Sequence, residues 1–339
     1  MQNSTILVIG GAGYIGSHML RCLRDAGRRV LVLDNLSTGH RKAVGDAELI
    51  VGDAGDAALL DSLFTERAIS CVMHFASSIL VGESMSDPGK YYDNNVARSV
   101  TLLNAMVKHK IPYFIFSSSA AIFGNPDYTP IDEAHPARPI NPYGRSKLMV
   151  EQMLEDYARA YGLRYGSLRY FNAAGAHPAG GIGECHEPET HLIPLVLQTA
   201  SGRRPSINIF GNDYDTPDGT CIRDYIHVCD LADAHLLLLH ALEGGMESAA
   251  FNLGTGEGYT VMQVIEEARR VTGCGIPARI EARRAGDPAV LIADGSAART
   301  QLGWHPALSD LQSILRHAWA WEKQFARAGA DFPAHSHIN

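Results

Sequence analysis

No stretch of the chain approaches the roughly 18 consecutive apolar residues of a membrane span, so no membrane crossing is expected. The opening segment, MQNSTILVIGG, has no basic region followed by a cleavage site. A cytoplasmic location is the expectation. Basic residues are scattered and outnumbered: 29 Lys and Arg against 37 Asp and Glu, no basic run and a formal net charge of −8, which argues against nucleic acid or an anionic membrane as the partner. The six cysteines (Cys22, Cys71, Cys185, Cys221, Cys229, Cys274) form no C-x-x-C pair and no His/Cys cluster at zinc spacing. They read as reduced thiols, and no metal is expected. Internal repeats and low-complexity tracts are also missing. What remains is 339 residues, 46% apolar and 19% charged, an ordinary globular composition with room for two lobes and a small-molecule ligand.

From the N-terminus, short apolar runs alternate with amphipathic ones: TILVIG, Tyr14 to Ala26, RRVLVLD, AELIVGD, Ala57 to Glu66, CVMHFAS, a longer helix around Tyr91 to His109, YFIFSSS, the segment after Asn141, and LRYGSLRYFN. Strands apolar on both faces, separated by helices, predict an α/β fold with a Rossmann-like, doubly wound parallel sheet of at least six strands. After Ala173 the segment GAHPAGGIGECHEPETH reads as a loop or domain crossing. The expected division is residues 1–178 for the sheet domain and 179–339 for a smaller mixed α/β domain, with crossings back to the first. Helices in the second are expected near Leu192 to Ala200, Leu231 to Leu242, Val261 to Thr272 and Leu308 to Phe325, and INIF reads as a strand. The tail HSHIN reads as a frayed end.

ILVIGGAGYIG sets Gly10, Gly13 and Gly16 directly after a strand and at the mouth of a helix. Glycines there let the backbone turn tightly and approach a pyrophosphate, whose charge the free N–H groups of the helix start favour. RRVLVLD ends in Asp34, where a carboxylate accepts from both hydroxyls of an adenosine ribose and repels a 2′-phosphate; the pattern therefore favours NAD over NADP. Asp53 ends the third strand, within reach of an adenine.

In NPYGRSK, Tyr143 precedes Lys147 by four residues. With 13 tyrosines and six lysines in 339 residues, chance produces such a spacing in roughly one chain in four. Position says more. Asn141 can cap a helix whose first turn takes Pro142, so Tyr143 and Lys147 share one face. SSS ends the fifth strand, at the carboxyl edge where doubly wound sheets bind ligands, so Ser119 can converge with the pair. A phenol of pKa near 10 needs about 4 kcal/mol of help to act as a base at pH 7. A neighbouring ammonium and a cationic nicotinamide supply it, giving a base that takes a proton from a sugar hydroxyl while hydride leaves the same carbon.

Together these residues resemble the extended short-chain dehydrogenase/reductase family, and within it the epimerases of UDP-sugars. GGAGYIGSH, LDNLSTG, HFAS, VGES, YYDNNV, FIFSSSA, PYGRSKLMVEQ, LRYFNAAGAHP, IFGNDYDTPDGTCIRDYIHVCDLADAH, FNLGTG and RRAGDPA follow that family's segments in order over almost the full length. The resemblance implies that Ser119 and Tyr143 act on the sugar O4, while Lys147 holds the nicotinamide ribose and lowers the tyrosine pKa. It implies that NAD also touches Tyr14, Ile15, Asn35, Ala54, Phe75, Ala76, Asn95 and Tyr170. Asn172, Arg223, Tyr225, Arg284 and Asp287 would hold the UDP half of the substrate, with His191 and Leu192 also in the substrate site, and a diphosphate does call for arginines. The implied activity interconverts UDP-glucose and UDP-galactose: hydride leaves C4 for NAD, a 4-keto sugar turns over in a roomy pocket, and hydride returns to the other face. Helices Tyr91 to His109 and Asn141 to Tyr161 resemble those that pair subunits in this family, implying a homodimer.

Departures from the family pattern are Ile79 for a frequent lysine, Ala120 and Ala121 after the serine, Phe123 for a frequent tyrosine, and His191 for an asparagine. Leu291 falls where bulk decides access for a 2-N-acetyl group, and its intermediate size leaves N-acetylated sugars open. A 4,6-dehydratase would need an acid and a base where Ala120 and Ala121 stand. A uronate epimerase would need a cation near C6, and a catalytically silent nucleotide sensor would not need the intact Tyr143/Lys147 pair.

Overall fold

The computed structural model describes residues 4–284 and 287–328; the tail HSHIN lies outside them. The first half alternates as the pattern predicts: β1 (Thr5–Ile9), α1 (Tyr14–Asp25), β2 (Arg29–Asp34), β3 (Glu48–Val51), α2 (Ala57–Glu66) and β4 (Ile69–His74). Short helices α3 (Val81–Ser86) and α4 (Pro88–Tyr91) follow, then a π-helical stretch Tyr92–Ala97 running into α5 (Arg98–Lys108), then β5 (Tyr113–Ser119), α6 (Pro142–Tyr161), β6 (Arg164–Tyr170) and β7 (Asn172–Ala174). The expected helix from Tyr91 to His109 is thus continuous but locally underwound and widened by one π segment.

Seven strands form one sheet in the order β3-β2-β1-β4-β5-β6-β11, where β11 is Ala249–Leu253. Every pair is parallel; the central strands β1 and β4 are buried on both faces and read as nearly continuously apolar, whereas the edge strand β3 exposes Glu48 and Val51. On one face, Met19, Leu20 and Leu23 of α1 meet Leu231, Leu238 and Leu242 of α8 (Val228–Glu243). On the other, Leu60, Leu102, Met106, Val150 and Leu154 pack from α2, α5 and α6. Burying each such side chain contributes about 1.5–3 kcal/mol. The strand order reverses between β1 and β4, and the crevice at their carboxyl ends is where this topology binds ligands.

Local chemistry explains the two helices that matter most. In α1, Met19, Leu20 and Leu23 share a buried stripe, while Gly13 at its N-cap offers no capping side chain. In α6, Asn141 Oδ1 accepts from Gly144 N at 2.8 Å, Pro142 occupies the first turn, and Gly162 ends the helix in the left-handed region at φ 73°. Gly144, Lys147, Glu151 and Leu154 form its inward stripe. Glu151 is held there by a buried, bidentate pairing with Arg169, at 3.1 and 2.7 Å.

Beyond residue 178, α7 (Leu192–Ala200), β8 (Ile207–Phe210), β9 (Ile222–Arg223) and β10 (Tyr225–His227) lead into α8 and β11, which complete the first lobe. β12 (Tyr259–Thr260), α9 (Val261–Thr272), β13 (Ala278–Glu281), β14 (Val290–Leu291), α10 (Ser296–Leu302) and α11 (Leu311–Ala328) follow. The second lobe has its own core, in which Val196 and Leu197 of α7 pack with Val264, Ile265 and Ala268 of α9 and with Ile314 and Leu315 of α11. Asp224, fully buried between β9 and β10, accepts from the backbone of Thr255, Gly256 and Ala293 and from the Thr255 hydroxyl. That carboxylate locks the FNLGTG loop to the second lobe. Among the described residues no helix is long and apolar enough to cross a membrane.

Candidate active site

One cleft of about 1680 Å³ runs along the carboxyl edge of the sheet and between the lobes. Its floor is the β1–α1 turn. Gly10 has φ +80°, and a Cβ there would lie 2.5 Å from Ala76 N; a Cβ on Gly16 would lie 2.2 Å from Gly10 O. Only glycine fits either place, so the turn closes against β4 and leaves the α1 N-terminus facing the cleft. Gly13, Tyr14 and Ile15 line it as well, and Tyr14 donates its hydroxyl to Gly175 O at 2.7 Å. That bond ties the turn to the crossing between the lobes.

Asp34 sits at the end of β2 with Oδ2 accepting from Ala12 N at 2.9 Å and Oδ1 from Leu36 N at 2.8 Å. Burial raises its pKa against those two bonds, and each oxygen keeps a lone pair for a ribose hydroxyl. Asn35 donates to Asp53 at 3.1 Å, while the Asp53 carboxylate also pairs with Arg98 and takes Gly55 N. Asp53 therefore stands in a polar network on the cleft wall, beside Ala54. This unfilled-in glycine cradle, the uncapped helix start and the buried acceptor on β2 together fit a dinucleotide carrying a free ribose 2′-hydroxyl. Phe75 and Ala76, packed directly against Gly10, line the cleft as well.

Tyr143, Ser119 and Lys147 meet deeper in the cleft. The Tyr143 hydroxyl is hydrogen-bonded to Ser119; burial pushes the phenol pKa up, and that bond partly opposes the rise. Ser119 Oγ also accepts from Ala121 N at 3.2 Å. Lys147 is 3% exposed. Its Nζ donates to Ser117 O at 2.8 Å and lies 4.9 Å from the Phe116 ring and 5.8 Å from the Tyr143 ring. Burial, opposed by the Glu151 carboxylate, lowers its pKa to about 7. The amine is thus anchored on β5 beside the Tyr143 ring, as the shared helix face places it. Tyr170 stands beside them, hydrogen-bonded to Ser117 and His235.

Asn95 does not line the cleft. It is 3% exposed and lies behind the wall, accepting from Ser78 N at 2.8 Å and donating to Ser78 O at 3.1 Å and Ser146 Oγ at 2.9 Å. The π segment rotates its neighbour Asn94 onto the lining instead. Phe123 is also buried behind the wall, under the Arg169 guanidinium, so the missing tyrosine hydroxyl there is a core substitution. Ile79, Ala120 and Ala121 do line the cleft and bring no polar atom to it.

The far end of the cleft belongs to the second lobe. Asn172 donates to Asp224 O at 3.0 Å, Arg223 pairs with Asp287 and donates to Ile222 O, and the Arg284 guanidinium stacks 3.9 Å over Phe210. Tyr225 is buried beside them and its phenol pKa is raised by that burial. Leu291 packs on the cluster of Ala120, Ile122, Phe123 and Ile131, directly next to the Ser119 end of β5. His191 and Leu192 enter from the start of α7. The crossing loop brings three more wall residues that the sequence reading passed over: Glu184, His186 and Glu189. Their only signal was the density of His and Glu in ECHEPETH.

The fold and site define an NAD-dependent enzyme acting on a carbon that bears a hydroxyl. Residues 6–254 match the NAD dependent epimerase/dehydratase family, and the chain belongs to it. A UDP-glucose 4-epimerase of Halalkalibacterium halodurans is 53% identical over 94% of this chain and 96% of its own. The crystal structure of UDP-glucose 4-epimerase from Brucella ovis in complex with NAD superposes with a TM-score of 0.91 at 49% identity, covering 94% and 98% of the two chains. That from Bifidobacterium longum in complex with NAD+ and UDP gives 0.90 at 39% identity, covering 95% and 99%.

Proposed function

We propose that this protein is a UDP-glucose 4-epimerase, interconverting UDP-glucose and UDP-galactose. The observation that carries the reading is the meeting of the Tyr143 and Ser119 hydroxyls over the Lys147 ammonium, in a cleft that has the glycine turn and Asp34 at one end and Arg223 and Arg284 at the other. NAD, when bound, supplies the acceptor for the C4 hydride and returns it. Gly10, Gly13, Gly16 and Asp34 would hold that cofactor, and Lys147 would hold its nicotinamide ribose. Tyr143 takes the proton from the sugar O4 and gives it back, and Ser119 holds that oxygen beside the phenol. Arg223, Arg284 and Asn172 would fix the UDP half by charge and hydrogen bonds, while the walls about the sugar, Ile79, Ala120, Ala121 and Leu291, offer few polar anchors. A firm hold on the nucleotide with a loose hold on the sugar lets a 4-keto intermediate turn before the hydride returns.

Ala120 and Ala121 disfavour a dehydratase, because elimination of water needs a proton donor and acceptor at that place. The test is to incubate the pure protein with UDP-galactose, and separately with UDP-N-acetylgalactosamine, without added reductant, and to read the products by NMR. UDP-glucose is expected from the first; a 4-keto-6-deoxy product, or no change, would overturn the reading. Conversion of the first alone makes Leu291 a barrier to the N-acetyl group, and conversion of both makes the enzyme bifunctional.

We further propose a homodimer in which α5 and α6 of two copies pack together. Met149 and Tyr161 of α6 are 41% and 62% exposed, an apolar cost to a solvated helix face that a partner would remove. Sedimentation velocity at micromolar concentration is expected to give a dimer; a monomer would overturn this.

A further inference from the structure

The crossing between the lobes brings Glu184, His186, Glu189 and His191 together, each with one ligand atom, and all four atoms lie within 4.8 Å of one another. Nothing in the epimerase reaction uses this group as a unit. His191 Nδ1 lies 2.8 Å from Glu184 Oε1, and His186 Nδ1 lies 3.3 Å from the same oxygen and 3.7 Å from Glu189 Oε2. A tetrahedral ion with bonds of about 2.0–2.2 Å sets its ligand atoms about 3.3–3.6 Å apart; the distances here run from 2.8 Å to at most 4.8 Å and bracket that value, so small side-chain shifts would close the sphere.

Two features favour an ion over a purely ionic knot of side chains. First, the Nδ1 of His186 is buried and makes no hydrogen bond: the carboxylate oxygens are near it but not aligned to receive a proton. Second, both imidazoles turn the same nitrogen toward the same oxygen, with ring centroids 5.2 Å apart. Without an ion, the His191 Nδ1 hydrogen-bonds to Glu189 Oε1 at 3.0 Å, while the His186 Nδ1 beside it stays without a hydrogen-bond partner. A divalent ion would take the lone pairs of both Nδ1 atoms and balance the two carboxylate charges.

The surroundings are built as for a ligand sphere. Glu189 Oε1 accepts from Thr190 N at 2.7 Å and His191 N at 2.8 Å, which fixes the carboxylate and leaves Oε2 turned to His186. Trp321 donates to Glu184 O at 2.8 Å from α11, and His40 lies 3.2 Å from Cys185 O from the first lobe. The Tyr14 ring meets His186 edge-on at 6.3 Å. The segment that carries the ligands is irregular loop, held in place by these outside contacts and not by local structure.

We propose that this cluster is a structural site for a divalent transition ion of the zinc class, bound by two carboxylates and two imidazoles. It would pin the crossing loop between the glycine turn and the start of α7. The donor set suits zinc better than calcium or magnesium, which prefer oxygen alone. This revises the expectation of no metal, which rested on spacing along the chain, and it does not depend on the epimerase reading.

The test titrates zinc chloride into the untagged, NAD-loaded full chain after EDTA dialysis, by calorimetry in two buffers of different ionisation enthalpy. One ion per chain, a Kd below about 1 μM and release of protons are expected. His186→Ala is expected to weaken that binding by about 100-fold or more with NAD content unchanged; the tail histidines His335 and His337 remain in this variant and so do not confound it. Absence of one-to-one binding, or undiminished binding in the variant, would overturn the proposal. Should His186→Ala not fold, cobalt(II) added to the parent chain gives a second reading: an intense visible band of a tetrahedral site supports the proposal, and a spectrum no stronger than that of the aqueous ion overturns it.

Discussion

Replacing Tyr143 with Phe is expected to lower kcat by about 10²- to 10⁴-fold, the range for loss of a general base, equivalent to roughly 3–5 kcal/mol of barrier. NAD content should stay near that of the parent, because the ring keeps its packing: it lies edge-on to Tyr91 at 6.5 Å and above Lys147. Only the hydroxyl bonded to Ser119 is lost. Turnover by UDP-galactose assay and cofactor content by absorbance after denaturation separate these effects, and undiminished turnover would remove Tyr143 as the base. The pH dependence has a defined sign. Burial holds the phenol pKa above its ordinary value, so in the parent the phenolate fraction, and with it kcat, rises with pH through neutrality. The residual rate of the Phe variant should lose that slope.

Lys147→Met is expected to abolish turnover while changing stability in the opposite direction at low pH. Burial lowers the Lys147 pKa to about 7, against 10.5 for the free side chain. Between those values the unfolded chain binds more protons than the folded one, so this group makes stability rise with pH across that window. Below pH 7 the folded chain carries the cost of the buried charge in full, a few kcal/mol on the order of one kcal/mol per pKa unit. Methionine carries no such cost but leaves Ser117 O without its donor, a penalty of about 1–3 kcal/mol that does not vary with pH. The variant should therefore gain stability relative to the parent as pH falls from about 10 to 6. Urea unfolding of both proteins at pH 6 and pH 9.5 reads this, and a difference independent of pH would mean that Glu151 compensates the buried ammonium fully, so that burial does not lower its pKa.

The two residues illustrate a common tension at active sites. A buried amine is a poor choice for stability and a good one for raising the local potential at a phenol, and the fold supports it with Glu151, itself held by Arg169.

Much of this was determined by the sequence alone. The strands and helices of the first lobe follow from apolar runs and amphipathic periods. The start and end of α6 follow from Asn141, Pro142 and Gly162, and α7, α9 and β8 fall on the residues expected. These are local matters, settled by turn chemistry and periodicity within a few residues. The glycine turn and Asp34 were legible for the same reason, since each is tied to the strand that ends beside it.

Tertiary structure alone decided the rest. FNLGTG could pair with any open edge; it lies beside β6, some eighty residues earlier, because α8 carries the chain back across the α1 face. Asn95 reads as a cleft residue until the π segment turns it inward to Ser78 and Ser146. Tyr143 and Lys147 share a helix face as the spacing dictates, yet the carbonyl that receives the amine belongs to β5 and is invisible to that spacing. ECHEPETH has no period and no turn signature that would bring its side chains to one point. Their convergence is imposed from outside, by Trp321 of α11 and by His40 of the first lobe holding the loop between them, because long-range packing and not local preference sets the path of an irregular segment.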